Sequence, residues 1–323
     1  MAVTLTFGDP GYDIFVNIFQ SNNFSSYHRD PALDVGHARI DAMHYNVDAA
    51  GTIYNTLPAG EPLEYEGSVN PAQPDGPPIG HILAFCRDYY LPNRLTAARK
   101  ILIIPNAVGG TGYSNANFEG RTPPYNGWGV CGSDKGRFHE RTITRVNAAM
   151  ALGGGTHRIK AFFCQGGEAD GFYRAGRNPT TGATTTAYED LETAGPAGAG
   201  VYATFKDYTI AMVADFRARL TDGSGVPFLF GQMSPAYQIP TPLGSTRAIE
   251  DVASYVSNSV SIPSAGLTTN NMKLDNTGDW YGSPPFSDIH YDAISQRGGT
   301  EHGRTETNPM SKRYWTGYQT LVP

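Results

Sequence analysis

Four times along this chain a short apolar run stops abruptly at polar or glycine-rich residues. Residues 13–19 (DIFVNIF) stop at Gln20-Ser21-Asn22, and residues 100–105 (KILIIP) stop at Asn106-Ala107-Val108-Gly109-Gly110-Thr111. Residues 159–164 (IKAFFC) stop at Gln165-Gly166-Gly167-Glu168-Ala169-Asp170, residues 227–231 (PFLFG) form the fourth run, and residues 260–262 a weaker fifth. Runs that are apolar throughout, rather than at alternate positions, suit strands covered on both faces, the situation inside a parallel sheet. Between them the apolar spacing becomes helical. Ile79, Ile82, Leu83, Cys86 and Tyr90 share one face of residues 79–90, and Tyr208, Met212, Val213 and Phe216 share one face of residues 202–220. Residues 141–152 and 249–256 supply two further helical patterns. Strands that alternate with helices predict an α/β fold, with a parallel sheet of about five strands between two helical layers and ligand sites beyond the carboxyl ends of the strands.

A length of 323 residues allows one large domain or two small ones. Residues 180–200 are biased toward Thr, Gly and Ala, but the same strand and helix alternation resumes after them, so residues 1–323 are read as a single domain. With 38 glycines and 23 prolines the chain should be rich in turns, and the connections at residues 25–78, 112–136 and 174–200 are long enough to be insertions around a site. No stretch reaches the roughly 18 apolar residues of a membrane span, so no membrane insertion is expected. A net charge of −6 argues against nucleic acid as a partner, since phosphate binding needs a basic face. The N-terminus has neither a basic segment before its apolar run nor a small-residue cleavage site, so it is not read as a signal peptide. The expected setting is cytoplasmic or that of a released virion component. Cys86, Cys131 and Cys164 are odd in number and far apart, which fits buried structural thiols rather than a metal site. No metal and no cofactor are called for, because phosphate-loop, zinc-protease and calcium-loop motifs are all missing.

The polar strand ends carry groups that acyl transfer needs: a hydroxyl nucleophile, a base, a group orienting the base, and donors for an oxyanion. Ser21 directly follows the first strand, although a serine there is more often a turn or cap residue. Gly109-Gly110 would let backbone N–H groups approach a ligand, or simply make a tight turn. Gln165 offers an amide donor at the end of the third run. Near the C-terminus stands Ser287-Asp288-Ile289-His290-Tyr291. Glu168 and Asp170 suit loop support better than a glycosidase pair. The aromatic residues Tyr12, Trp128, Tyr173, Trp280 and Tyr281 are read as lying in loops, where they could stack on a sugar or anchor the loop. The absence of a G-x-S-x-G elbow disfavours an α/β-hydrolase.

The ordered blocks Phe19-Gln20-Ser21-Asn22, Ala107-Val108-Gly109-Gly110-Thr111, Gln165 to Asp170 and Asp288-Ile289-His290-Tyr291 resemble those of SGNH hydrolases. Within that superfamily they resemble the sialate O-acetylesterase and acetylxylan-esterase-like carbohydrate esterases, over residues 13–299. Glu61-Pro62-Leu63 and Ala84-Phe85-Cys86-Arg87 add to the likeness. The resemblance implies a flavodoxin-like three-layer α/β/α sandwich and a serine ester hydrolase that removes O-acetyl groups from a carbohydrate, the acetylated sugar being its partner. It implies Ser21 as nucleophile, His290 as base, and Asp288 as the group orienting His290. The oxyanion hole would comprise the Ser21 and Gly110 backbone N–H groups and the Gln165 side chain, with Gln20, Asn22 and Glu168 in support. Three positions depart from the family pattern. Phe19 stands where glycine is usual, two glycines rather than one separate Gln165 from Glu168, and the residue three before His290 is Ser287 instead of aspartate. In an extended segment residues i and i+2 share a side, so Asp288 suits the orienting role; Glu168, a main-chain carbonyl or water are the alternatives. The departures also support a rival reading, a non-catalytic carbohydrate-binding or structural module on the same scaffold; separately, the missing signal and the long loops suit a phage tail or virion component, and virion or homo-oligomer assembly is the further partner expected.

Overall fold

The structure, a computed structural model, describes residues 11–19, 35–43, 56–58, 80–108, 111–113, 127–131, 134–152, 155–167, 176–177, 184–185, 199–233, 244–267, 273–274, 280–281, 291, 293–301 and 304–323. Seven strands form its main sheet: β1 (Tyr12–Phe19), β2 (Ile40–Met43), β3 (Thr56–Pro58), β4 (Lys100–Pro105), β5 (Arg158–Gln165), β6 (Phe228–Gly231) and β7 (Ser259–Ile262). Their order is β7-β6-β5-β1-β4-β2-β3. All neighbours pair in parallel except β2 and β3, so six strands are parallel and β3 is an antiparallel edge. The five strands expected from their apolar runs stand in the 2-1-3-4-5 order of a flavodoxin-like sheet. The remaining two come from residues 25–78, which were expected to be a loop insertion and instead extend the sheet at one edge.

Alternation along each strand divides the core into two layers. From β1, Ile14, Val16 and Ile18 join Leu102, Phe162 and Phe228 against Val146 of α2 (Arg137–Leu152) and Met212 and Phe216 of α3 (Ala199–Arg219). Phe15 points the other way, with Ile101, Ile103, Phe163 and Leu229. There it meets α1, which begins as an α-helix at Ile82–Ala84, widens into a π-helix over Phe85–Tyr90 and closes at Leu91–Asn93. It also meets α6 (Met310–Leu321), which contributes Met310, Tyr314, Trp315 and Tyr318. The protein is therefore a three-layer α/β/α sandwich. The helical pattern at residues 249–256 is realised earlier and shorter, as α4 (Gly244–Glu250) followed by a 3-10 turn at Val252–Ser254. Among the described residues, no helix is long and apolar enough to cross a membrane.

β4 and β5 flank β1, and the chain crosses from one side of β1 to the other between them. Such a switch point is where doubly wound sheets open a crevice at the carboxyl ends of their strands.

Candidate active site

Phe19 closes β1 at that switch point. Its φ is +83°, a left-handed backbone that costs a residue with a Cβ about 1–2 kcal/mol. Glycine avoids this cost, which gives a physical reason for glycine at this position in the resembled family. In this chain the ring supplies compensation. It is buried, stacked on Trp128 at 5.7 Å and edge-on to Tyr113 at 4.8 Å. The Phe19 backbone also ties β1 to β5 and to the segment that follows β4. It pairs with Gln165 across the β1–β5 ladder, and its carbonyl accepts the Val108 N–H at 2.7 Å.

The stretch on either side of Gly109-Gly110 is held partly by residues of α2 that the sequence did not single out, Arg141, Thr142 and Arg145. Arg145 of α2 is fully buried and donates to the Pro105 carbonyl at 2.8 Å, Asn106 Oδ1 at 3.0 Å and the Met43 carbonyl at 3.3 Å. Asn106 Oδ1 also accepts Arg141 Nε at 2.9 Å, while Asn106 Nδ2 donates to Thr142 Oγ1. Beyond the glycines, Trp128 Nε1 donates to Thr111 Oγ1 at 2.8 Å, and Thr111 Oγ1 donates to the Val108 carbonyl at 2.7 Å. Trp128 is thus a fully buried anchor rather than a surface for a sugar. Tyr12 also loses its expected loop position: it begins β1 and is buried.

Gln165 ends β5 fully buried, and its Nε2 donates to the Gln232 carbonyl at 3.3 Å. Gly231 makes room for it. A Cβ there would lie 3.0 Å from Gln165 Cδ and would collide with the Tyr314 hydroxyl. Two residues past Gln165, Gly167 has φ +112°, and a Cβ would meet Met233 Cε at 2.8 Å. The second glycine of this block therefore makes a turn that other residues would strain. Tyr291, the neighbour of His290 in sequence, is buried, and its hydroxyl donates to the same Gln232 carbonyl at 2.8 Å.

Of the nominated residues, Gln165 is described. Gln20, Ser21, Asn22, Gly110, Glu168, Asp288 and His290 lie outside the described residues, as do Asp170 and Tyr173. What the structure brings together at the carboxyl edge is Phe19, Val108, Gln165, Gln232 and Tyr291.

Three histidines away from the nominated set are buried, His81, His139 and His157. The His81 ring lies flat on Tyr314 at 4.4 Å, with Nδ1 3.0 Å from Gln296 Oε1, and burial lowers its pKa to about 4 against the hydrogen bond to Gln296. His139 Nε2 is 2.7 Å from Asp215 Oδ2, and its pKa is also lowered, mainly by burial. His139, Glu140 and Asp215 are a group of described residues near enough to share a cation. Arg219 already bridges the two carboxylates, at 2.5 Å from Glu140 Oε1 and 3.1 Å from Asp215 Oδ2, so this cluster reads as a clasp between α2 and α3. Cys86 and Cys164 are free, buried thiols whose pKa burial pushes well up, as expected for structural cysteines.

No protein-family model matches the chain, and no curated protein matches it in sequence. Its fold is shared with a solved structure, the crystal structure of NanS. The two superpose with a TM-score of 0.64 at 16% sequence identity, over 98% of this chain and 99% of that one. At that identity the likeness concerns the fold, and it extends over essentially the whole length of both chains.

Proposed function

We propose that this protein is a serine ester hydrolase that removes O-acetyl groups from a carbohydrate. Ser21 is the nucleophile, His290 its general base and acid, and Asp288 the group orienting His290. The Ser21 and Gly110 backbone N–H groups and the Gln165 amide hold the oxyanion. The observation that carries this reading is Gln165 itself. Its amide is buried at the switch point, in register with Phe19, and donates to the Gln232 carbonyl. The Gln165 amide is the side-chain donor assigned to the oxyanion. A pre-oriented donor in a water-poor site stabilises developing charge without reorganising during the reaction.

Chain connectivity supports the same assignment. Ser21 is two residues from Phe19 along the chain. Gly110 is separated from Val108 by one residue, and His290 is joined directly to Tyr291. In the proposed reaction His290 takes the Ser21 hydroxyl proton as Oγ attacks the ester carbonyl carbon. The tetrahedral intermediate collapses, His290 returns the proton to the departing sugar oxygen, and the acetyl group remains on Ser21. Water, deprotonated by His290, then releases acetate and restores the serine.

Hydrolysis of an aryl acetate tests the reading: Ser21→Ala should abolish it while the protein stays folded, and undiminished hydrolysis would overturn the nucleophile assignment. A series of aryl esters of increasing acyl length tests the acetyl preference, since faster turnover of octanoate would point to a lipase-like enzyme. Phe19 and the two-residue spacing from Asp288 to His290 favour a second reading, a carbohydrate-binding module without catalysis. Binding of an acetylated glycan without release of acetate would select it.

A further inference from the structure

Two side chains from different parts of the chain converge on one oxygen at the carboxyl edge of the sheet. Gln165 Nε2 donates to the Gln232 carbonyl at 3.3 Å, and the Tyr291 hydroxyl donates to it at 2.8 Å. A carbonyl oxygen has two lone pairs, so both bonds coexist. Gln232 is itself fixed at three points. Its backbone N–H donates to the Ile262 carbonyl at 2.9 Å, its Nε2 to Ser261 Oγ at 3.2 Å, and its Oε1 accepts the Ser264 N–H at 3.3 Å. The shared oxygen therefore belongs to a rigid residue, tied to β7 and the turn beyond it.

Tyr291 is fully buried, so both its ring and its hydroxyl are held in place. A second attachment follows five residues later, where Gln296 of α5 (Ala293–Arg297) bonds the buried, ring-stacked His81. We infer that Tyr291 is a positioning residue: its hydroxyl fixes the register of the residue next to His290 on the same Gln232 carbonyl that holds Gln165. One oxygen then serves as the common reference for the base and for an oxyanion donor. This inference rests on the proposed function and deepens it. Losing the hydroxyl leaves the ring's packing in place but frees the register, and a displacement of about 1 Å at a reacting group costs up to roughly 100-fold in rate.

A fluorophosphonate probe tests this on the full chain without knowledge of the sugar. Serine Oγ bonds to phosphorus, fluoride leaves, and the serine proton passes to His290. In Tyr291→Phe the maximal labelling rate kinact should fall roughly 10- to 100-fold with KI unchanged, and the near-ultraviolet circular dichroism should match that of the parent. A folded Tyr291→Phe protein with the parent kinact overturns the inference. Should that variant fail to fold, Gln296→Met reads the second attachment: a loss of roughly 3-fold or more in kinact supports the inference, and an unchanged kinact overturns it. Ser21→Ala and His290→Ala separate the two levels. If the parent is not labelled, or if either variant is labelled at the parent rate, the hydrolase reading fails and takes the inference with it. If both lose labelling while Tyr291→Phe does not, the inference alone fails.

Discussion

The two edges of the central sheet are built from different chemistry. At the amino edge, buried charges are matched by opposite charges. Asp13 accepts Arg99 Nε at 2.7 Å and the Tyr90 hydroxyl at 2.7 Å, while Asp41 accepts the Tyr12 hydroxyl and lies 3.4 Å from Lys100 Nζ. Burial and Asp13 together raise the pKa of Tyr90, so its hydroxyl stays protonated and donates. At the carboxyl edge the guanidinium groups of Arg141 and Arg145 bind Asn106, but the described anchors around Gln165 are amides, carbonyls and hydroxyls: Gln165, Gln232 and Tyr291. Ion pairs hold a sheet together but fix the charge around them. Neutral donors on rigid supports present fixed dipoles to charge that develops during a reaction, which is what an oxyanion site needs. The amino edge reads as structure and the carboxyl edge as the place for chemistry.

The largest expected effects test that division directly. Gln165→Ala should lower the hydrolysis rate roughly 100- to 1000-fold, as the loss of one oxyanion donor does, while shifting stability far less. Steady-state kinetics beside a thermal melt would show the split; equal losses in both would make Gln165 structural. Asp13→Ala should do the reverse. It removes the partner of Arg99 and Tyr90 from a buried site and should cost about 3 kcal/mol of stability, with kcat of the folded fraction unchanged. Chemical denaturation followed by activity at low denaturant would measure it. A fall in kcat matching that of Gln165→Ala would break the distinction between the edges.

Acid should find the carboxyl side first. The His81 pKa is lowered to about 4 from an ordinary 6.5. Above pH 6.5 the imidazole is neutral in both the folded and the unfolded chain, and pH has no effect through it. As pH falls from 6.5 toward 4 the unfolded chain takes up a proton that the folded chain refuses, so stability is lost across that window. The gap corresponds to about 3 kcal/mol, with His139 adding to it in the same direction. Urea unfolding between pH 7 and pH 4 should therefore show falling stability, and His81→Gln should flatten the slope. An unchanged slope in that variant would assign the acid sensitivity elsewhere.

Legibility in the sequence divided along the same line. Strands buried on both faces announce themselves through composition, so the five parallel runs and their polar ends could be read directly. β2 could not: it has four residues, and Asp41 interrupts its apolar character because Tyr12 and Lys100, distant in sequence, satisfy it. α6 escaped for a related reason. Its buried face is made of Tyr314, Trp315 and Tyr318 among polar residues, and Gly317 lies inside it because a Cβ there would collide with Ile262. Gln165 was legible as a polar residue at a strand end. The Gln232 carbonyl and the Tyr291 hydroxyl were not, since a backbone oxygen carries no sequence signal and a buried tyrosine reads as core. The resemblance marked Phe19 as a departure, and only its backbone angle explains how it is tolerated.

That residue gives the smallest and most discriminating prediction. Phe19→Gly removes a left-handed strain of about 1–2 kcal/mol but also removes a ring packed between Trp128 and Tyr113. Deleting a buried phenyl ring ordinarily costs about 3–5 kcal/mol, so the relief of strain should reduce the net loss to about 2–3 kcal/mol. Phe19→Ala keeps the Cβ that makes this backbone costly and should be the less stable of the two, by about 1–2 kcal/mol. Thermal melts of the pair isolate the backbone term, because both lack the ring. If the alanine variant is as stable as the glycine variant, the left-handed turn is not imposed by the β1–β5 register, and the carboxyl edge loses the rigidity that sets it apart from the amino edge.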